Sequence, residues 1–421
     1  RSKFSANLAY GAARSEADLL SNIWDGGTLT PLQLSSNRFH GDVRTQNYNF
    51  ALAANPVTFL SGKLYYRYYD RDNRSDIITT VENGVTTSNA NRLYGYNKQT
   101  YGADLDIRVL RDLRFIAGYK HVDLNRSRDD IPRTRDDIYS AEARWSPLPE
   151  ATFKIAYEKL IRAGHHQVTD VTAAPAEIWV RTFDAASKDT DTFKASATLS
   201  PLDILNFNVG CRYRRSSYPS TTLGLLRDDT KELNFDGEYS IGRHARIFGY
   251  FDYGITTSSQ FQRGFTTDAD PYGTVQNATN FNWQSDQEDI TFDLGLVVDL
   301  YIVPQKLTLR LSGDYLKTHG TNDFTYFSGN ALTAGRTNEN IDIRNWDSYR
   351  TEFYMIKFLY HHTASTLFTF GYAYERYSLS DAQYEGYVNT LGSPVNSYLS
   401  GAYANPGYKA DIFFLGVSHR F

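Results

Sequence analysis

Apolar and polar residues alternate with a period of two along most of this sequence. In "YGADLDIRV", residues 101–109, the odd positions are Tyr, Ala, Leu, Ile and Val, whereas the even positions are Gly, Asp, Asp and Arg. The stretches 139–146, 290–300 and 307–315 repeat the pattern. In a helix this order would scatter the apolar residues around the axis, but in a strand it gives one apolar and one charged face. The sequence therefore predicts an all-β protein built from many two-sided strands.

The composition fits strands and argues against several other classes of protein. Aromatic residues make up 15% of the 421 residues, with 32 Tyr and 25 Phe, and they favour β structure. No run of about 18 apolar residues occurs, so no transmembrane helix is encoded. The 44 basic and 48 acidic residues nearly cancel, so no global field indicates nucleic acid as a partner. The single Cys211 excludes an internal disulfide, a four-cysteine zinc site and a haem-attaching CxxCH motif.

Short turns and long polar segments alternate as connections between the predicted strands. Seven short stretches with turn residues each predict a tight hairpin: 55–59, 110–114, 146–150, 200–204, 241–245, 302–306 and 361–366. Longer segments rich in Asp, Asn, Arg, Gly and Thr separate these hairpins: 70–98, 163–190, 215–230, 254–287 and 317–345. The chain thus repeats one unit, in which a long polar loop, a strand, a short turn and a second strand follow one another.

Counting the alternating stretches gives about sixteen strands, one near 3–12, two in each hairpin, and the last at 409–421. An even number of strands with short turns on one side and long loops on the other is typical of bacterial outer-membrane barrels. We therefore predict one domain over 1–421, a closed antiparallel transmembrane β-barrel with short periplasmic turns and long extracellular loops. Because the sequence starts at Arg1 rather than Met, we expect a processed chain, with room for further strands upstream.

Two soluble all-β folds compete with the barrel, namely a β-propeller and a stack of sandwiches. Either would show regular blade or domain repeats around core-facing apolar residues. Here large aromatic residues instead lie near the ends of the apolar faces, as an aromatic girdle at a membrane interface requires. The residues in these positions are Tyr68, Tyr119, Trp145, Tyr157 and Tyr213. This placement favours the barrel, embedded in outer-membrane lipid.

The chain ends on an alternating strand, "DIFFLGVSHRF", residues 411–421. Its residues Phe413, Leu415, Val417 and Phe421 share one face. We predict that this strand closes the cylinder against the first strand, so that no unpaired backbone edge faces lipid. Phe421 would then lie at the membrane interface.

The residues opposite the apolar positions should line the lumen of the barrel. Both signs of charge occur there at similar frequency, which fits either a water-filled pore or a wall that meets a polar protein surface. The predicted lumen-lining residues are Lys63, Arg67, Asp104, Asp106, Arg108, Arg114, Lys120, Glu142, Arg144, Lys154, Glu158, Arg162, Arg212, Arg214, Asp236, Glu238, Asp293, Asp299, Arg310, Asp314 and Glu375.

Other candidate sites have weaker support. The histidine pairs 165–166 and 361–362 would point to opposite faces of a strand or lie in a solvated turn, so we expect no metal site there. The acidic runs 70–76 and 126–137 lack a fixed calcium-ligand spacing and alternate with Arg. Cys211 should face lipid as a small apolar residue. We predict no catalytic, metal-binding or cofactor-binding residues in this chain.

Two stretches carry a more specific pattern: "VRT…P…L…YRYYDRDNR" within 41–75 and "YKHVDLNRSRDD…TRDDIYSAEARWSP" within 98–164. These stretches resemble the MtrB/PioB family of outer-membrane barrels from porin–cytochrome complexes. It implies a sheath that encloses a periplasmic multihaem c-type cytochrome in its lumen, with a second multihaem cytochrome docked on the extracellular loops. It also implies that the barrel binds no haem itself, since the haems belong to the partners.

The sequence therefore predicts a non-enzymatic barrel that lets electrons cross the bacterial outer membrane. The alternative is a stand-alone general or substrate-specific diffusion porin, in which one loop folds into the lumen as a constriction. The segment 254–287 is long enough either for that role or for an extracellular collar. A third interpretation, an outer-membrane hydrolase, would require a nucleophile and a base to converge on the inner wall.

Overall fold

The structure is a computed structural model, and every regular element in its described residues is a β-strand. The described residues are 2–19, 22–24, 31–82, 85–127, 131–165, 180–264, 281–327, 338–382 and 407–420. Across these ranges there is no helix with the length and apolar character needed to span a membrane.

Sixteen long strands form one antiparallel sheet. They are β1 (Ser2–Asp18), β2 (Arg38–Val57), β3 (Leu60–Asn73), β4 (Tyr96–Arg108), β5 (Leu113–Arg126), β6 (Arg133–Leu148), β7 (Ala151–His165), β8 (Lys188–Leu202), β9 (Leu205–Ser217), β10 (Leu223–Ile241), β11 (Ala245–Gly264), β12 (Phe281–Val303), β13 (Leu307–Phe327), β14 (Asn338–His361), β15 (Thr366–Asp381) and β16 (Gly407–His419). Each pairs with the strand that follows it in the chain. The predicted all-β fold and strand number are confirmed.

The seven predicted hairpins are all present. In each of them two to four residues separate the end of one long strand from the start of the next, as between Val57 of β2 and Leu60 of β3. In the β10–β11 turn Gly242 has φ of 52°, a left-handed conformation that glycine adopts without steric cost. Because these turns all join strands at the same end of the sheet, the other end carries the long connections.

On the long-connection side the strands extend further than predicted. The segment 215–230, predicted to be a polar loop, is mostly strand, and Ser216 pairs with Asp228 across β9 and β10. Strands also extend into the segments 254–287 and 317–345. The prediction was wrong because polar residues occupy both faces here. Outside the hydrocarbon layer a strand has no need of an apolar face, so side-chain polarity does not mark its end.

A second, four-stranded sheet lies on this side. It is formed by the short strands 22–24 and 31–34, which lie between β1 and β2, and 79–82 and 85–90, which lie between β3 and β4. Gln33 pairs with Val81, so the two connections are joined through their backbones.

The long sheet carries its large apolar side chains in exposed positions. Phe4, Ile155 and Leu294 are 65%, 67% and 47% exposed. The buried residues of the described ranges are instead mainly small or polar, such as Ser216 and Asn322. This inverted distribution is what lipid requires, because the hydrocarbon layer solvates the outer face of a barrel.

The last strand, β16, pairs with β15 as far as His419. Its residues Phe413, Leu415 and Val417 are 73%, 77% and 63% exposed and share the apolar face. Phe421 lies outside the described residues. The closure of the cylinder by β16 against β1 stays a prediction.

Candidate functional site

The residues predicted to line the lumen all lie on one face of the sheet. The strand registers show this: Lys63 pairs with Asp104, whereas the exposed Leu64 pairs with Ala103 on the opposite face. The same alternation places the remaining predicted residues opposite the large apolar side chains. We call this side of the sheet the polar face. Its contact with a partner in the lumen stays a prediction.

The strand registers also show how the charges of the polar face are distributed. On β1–β9 cations predominate: Lys3, Lys63, Arg67, Arg71, Lys98, Arg108, Arg114, Lys120, Arg126, Arg144, Lys154, Arg162, Lys188, Lys194, Arg212 and Arg214. The carboxylates on this part of the face are Asp104, Asp106, Asp136, Glu142 and Glu158. We call this region, the polar face of β1–β9, the basic half.

On β10–β15 the balance is reversed. The carboxylates of the polar face are Asp228, Glu232, Asp236, Glu238, Asp252, Asp289, Asp293, Asp299, Asp314, Asp347, Glu375 and Asp381. The cations are Arg246, Arg310 and Lys357, each a few residues from a short turn. We call this region the acidic half. The mixed charges predicted from the sequence are therefore present but separated by position.

A row of four cations crosses the basic half near the short turns. Arg108, Arg114, Arg144 and Lys154 lie directly opposite one another on β4, β5, β6 and β7. Among the described residues two carboxylates form ion pairs with them: Glu142 Oε1 lies 2.8 Å from Arg144 Nη2, and an Asp106 oxygen lies 3.9 Å from Arg114. The row therefore keeps a net positive charge.

The acidic half has a corresponding group of carboxylates. Asp252 and Asp293 are directly opposite each other on β11 and β12. Next to them, the hydroxyl of Tyr250 donates a hydrogen bond to Asp314 across β12. The Tyr250 ring passes over Gly295, where a Cβ atom would collide with it. Glycine at this position thus lets one side chain connect β11 with β13.

Ion pairs neutralise the short-turn end and the border of the acidic half. Near the short turns, Arg310 forms two hydrogen bonds of 2.6 and 2.8 Å with the buried Asp299. Arg246 Nη2 lies 2.5 Å from Glu238. At the border between the halves, Arg212 of β9 pairs with Glu232 of β10. Within the part of the chain that the structure describes, Asp236, Asp252, Asp293 and Asp314 form no ion pair.

At the long-connection end of the sheet, residues 181–187 fold back onto the polar face. Arg162 Nη1 donates to the carbonyl of Asp184 at 2.9 Å, and the Gly164 amide donates to Ser187 Oγ at 3.0 Å. Ala185 is fully buried, and its carbonyl occupies the space that a Cβ atom of Gly164 would fill. We call residues 181–187 the rim segment. Its small residues were the signal in the sequence, but they lay inside a predicted polar loop.

Tyr218, in the connection between β9 and β10, is 4% exposed. Its hydroxyl donates to Asp228 at 2.9 Å, and Lys188 Nζ lies 6.0 Å from the centre of its ring. Burial, reinforced by the bond to Asp228, raises the pKa of the Tyr218 hydroxyl, so that it stays a neutral donor.

The predicted girdle residues lie on the apolar face. Tyr119 and Tyr157 donate hydrogen bonds to Asp137 at 2.7 Å and to Asp191 at 2.6 Å. Trp145 packs against an aromatic neighbour and donates to Asp112, beside a short turn, at 3.1 Å. Apolar rings with polar tips are suited to the interface between lipid and water.

The weaker candidates show no chemical site. Cys211 is free and exposed on the apolar face, opposite Ala195. In the acidic run 126–137, Asp136 and Asp137 make contacts with Arg162 and His121. The described residues contain no group of three His, Cys, Asp or Glu side chains able to hold a metal ion. His165 ends β7, whereas His166 lies outside the described residues; His361 ends β14 and His362 follows in a turn.

Comparisons with known proteins agree with this architecture. The sequence model of the outer membrane beta-barrel porin family MtrB/PioB matches residues 1–421. The outer membrane protein MtrB of Shewanella baltica (strain OS185) is 23% identical over 377 residues, which are 86% of this chain and 48% of that protein. The chain thus spans about half the length of this curated relative.

Two receptors of solved structure are among the proteins that the chain is similar to, each 8% identical to it. The siderophore receptor PirA of Acinetobacter baumannii has a TM-score of 0.42, over 97% of this chain and 71% of that one. The ferric enterobactin receptor PfeA of Pseudomonas aeruginosa has a TM-score of 0.41, over 99% and 73%.

The family match over the whole sequence and the inverted burial of the sheet together place this protein in the outer membrane as a β-barrel. The matched family is one of porins and not of enzymes. The chain belongs to the MtrB/PioB family of outer-membrane β-barrel porins.

Proposed function

We propose that this protein is a sheath that encloses a periplasmic multihaem c-type cytochrome and so lets electrons cross the outer membrane. The observation that carries the proposal is the density of charge on the polar face, where rows such as Arg108, Arg114, Arg144 and Lys154 extend across neighbouring strands. A polar protein surface inside the barrel can supply counter-charges to such a wall. The name of the curated relative, MtrB, and the family membership support the same role.

A sheath solves a solvation problem. The polar surface of a soluble cytochrome cannot be placed in hydrocarbon, because each unpaired polar group there costs several kcal/mol (about 2–7). The barrel gives the lipid its exposed apolar residues and gives the cytochrome its polar face. Because the chain has one cysteine, the covalently attached haems of this proposal all belong to the partner.

The long-connection side is the place for a second, extracellular multihaem cytochrome. The four-stranded sheet there is built from two separate connections that pair through Gln33 and Val81. A paired backbone makes an ordered platform, which a docking partner can contact at a low cost in conformational entropy.

A stand-alone diffusion porin is the second candidate, and one observation favours it. The rim segment lies on the polar face, where an inward-folded loop would narrow a pore. It is anchored at the last residues of β7, so it reduces the opening at the rim and leaves the rows nearer the short turns uncovered. For the segment 254–287 the decisive residues 265–280 lie outside the described ranges.

The test is to isolate the protein from the membranes of its native host in mild detergent and to record a visible spectrum. We expect a reducible c-type Soret band in a complex of fixed stoichiometry, with the haem stain on a separate, co-migrating polypeptide. The same chain produced alone should be colourless, which serves as the control. A colourless native preparation that conducts ions in planar bilayers would refute the sheath and establish the porin.

A further inference from the structure

We propose that the wall holds its enclosed protein in one rotational orientation, with an acidic surface of the partner against the basic half and a basic surface against the acidic half. This inference rests on the proposed sheath function and specifies the charge pattern of the partner. It follows from the separation of charges between β1–β9 and β10–β15.

The basic half contains cations that the barrel itself leaves uncompensated. Among the described residues Lys120, Lys154 and Lys194 make no ion pair. Lys154 lies directly opposite Arg144, and Lys194 lies directly opposite Arg212. Like charges in directly opposite positions destabilise a sheet. This arrangement therefore lowers the stability of the isolated barrel. Anionic groups from outside the chain would relieve the repulsion.

The acidic half shows the same feature with the opposite sign. Asp252 and Asp293 face each other directly, and Asp252 lies diagonally across the ladder from Asp236, two residue pairs along β10 and β11. On the long-connection side of Arg246 and Arg310, every charged residue that the structure describes on this half is a carboxylate. Cationic groups from outside the chain would relieve this repulsion.

The separated charges act more strongly on a close-fitting protein than they do across a water-filled lumen. In a water-filled lumen at physiological salt, charges further apart than about 8 Å are largely screened from each other, so the two halves act almost independently. A protein that displaces the water contacts both halves at short range. Complementary charge then determines the orientation of a docked partner and penalises the rotated one. A fixed orientation also fixes the positions of the partner's terminal haems at the two ends of the barrel, which favours electron transfer.

The first test uses photo-crosslinking in the complex isolated from the native host. A benzophenone amino acid is introduced at Ser196, which lies opposite Lys154, and in a second variant at Thr291, next to Asp293. A third variant carries it at Ala195 on the apolar face as a matched control. We expect Ser196 to capture partner peptides with net negative charge, Thr291 to capture peptides with net positive charge, and Ala195 to capture none.

Capture of the same partner peptides from both positions, or of peptides without a difference in charge, would overturn the proposed orientation. This result is distinct from a failure of the sheath function, in which no haem protein purifies with the chain at all. If instead the purified barrel is empty and conducts ions, the separated charges serve small ions and not a protein.

The second test reverses the charges nearest to the two crosslinking positions. The variant K154E/K194E/D252K/D293K reverses the sign of two side chains in each half and leaves the total charge unchanged. We expect either that the peptides captured from Ser196 and Thr291 exchange places or that the haem content per barrel falls about tenfold or more. Migration of the unheated barrel in SDS gels verifies that the variant is folded. An unchanged pattern of captured peptides and an unchanged haem content in a folded variant would overturn the role of these four charges in setting the orientation.

Discussion

Arg162 and Asp136 form a two-pronged ion pair across β6 and β7, with distances of 2.7 Å from Nε to Oδ1 and 2.9 Å from Nη2 to Oδ2. The two side chains are only 17% and 12% exposed. The third donor of the same guanidinium group binds the carbonyl of Asp184. One side chain thus connects two barrel strands with the rim segment.

Arg162→Ala should release the rim segment. The substitution leaves the Asp136 carboxylate largely buried without its cation, and breaking such a pair costs about 3 kcal/mol. We expect trypsin to cleave after Arg181 about tenfold faster in the folded barrel, since cleavage follows local opening. Arg144→Ala is the control, because Arg144 pairs with Glu142 and does not contact the rim segment. Equal cleavage rates in the two variants would contradict this role for Arg162.

Gly295→Ala should disturb the hydrogen bond that Tyr250 of β11 makes across β12 with Asp314 of β13. The new methyl group would collide with the Tyr250 ring and separate its hydroxyl from Asp314. We expect a loss of about 1–3 kcal/mol in the free energy of unfolding in urea, typical of overpacking. In a Tyr250→Ala background the same substitution should cost little, because its collision partner is gone. Additive effects of the two substitutions would show that the ring does not lie over Gly295.

Backbone amides in 215–217 and 228–230 should be strongly protected from hydrogen exchange. These residues belong to the ladder between β9 and β10, although their sequence resembles a loop. We expect exchange at least about a hundredfold slower than in an unstructured peptide, with faster exchange in 219–222 between the strands. Rapid exchange throughout 215–230 would contradict the strand pairing in this segment and support the loop predicted from the sequence.

The contrast between the two ends of the strands shows what the sequence could specify. Near the short turns apolar and polar residues alternate without interruption. The residues next to Lys63, Arg108 and Arg310 in the sequence were therefore enough to predict the face on which each lies. The end of β9 was missed because its outer residues are as polar as its inner ones. Which charges become neighbours, as Lys194 and Arg212 do, depends on strand register. Register is a property of paired strands and cannot be derived from one strand alone.

The contact between His40 and Asp76 should weaken in acid. His40 Nδ1 lies 2.7 Å from Asp76 Oδ2, and this hydrogen bond holds the pKa of the Asp76 carboxyl below its usual value of 3.8. A lowered pKa in the folded state means that the contribution to stability is complete above the unfolded pKa and disappears as the pH falls through the folded one. We expect the amide of Asp76, which donates to the His40 carbonyl, to lose exchange protection below about pH 4.

Asp76→Asn provides the control for this pH dependence. The amide side chain does not titrate, so protection of the backbone at residue 76, corrected for intrinsic exchange rates, should show no step in the same range. A step of equal size in the variant would assign the transition to another group.

The orientation of the two faces can be tested with one native and one introduced cysteine. Cys211 lies on the apolar face and Ser196 on the polar face, with β8 and β9 adjacent in the sheet. In lipid vesicles we expect a charged, water-soluble maleimide to label the variant Cys211→Ser/Ser196→Cys at least about tenfold faster than the native chain, because thiolate formation and reagent access both require water. Both should react in the unfolded state. Preferential labelling of Cys211 in the folded barrel would place the charged face toward lipid and refute the assignment of faces on which the sheath depends.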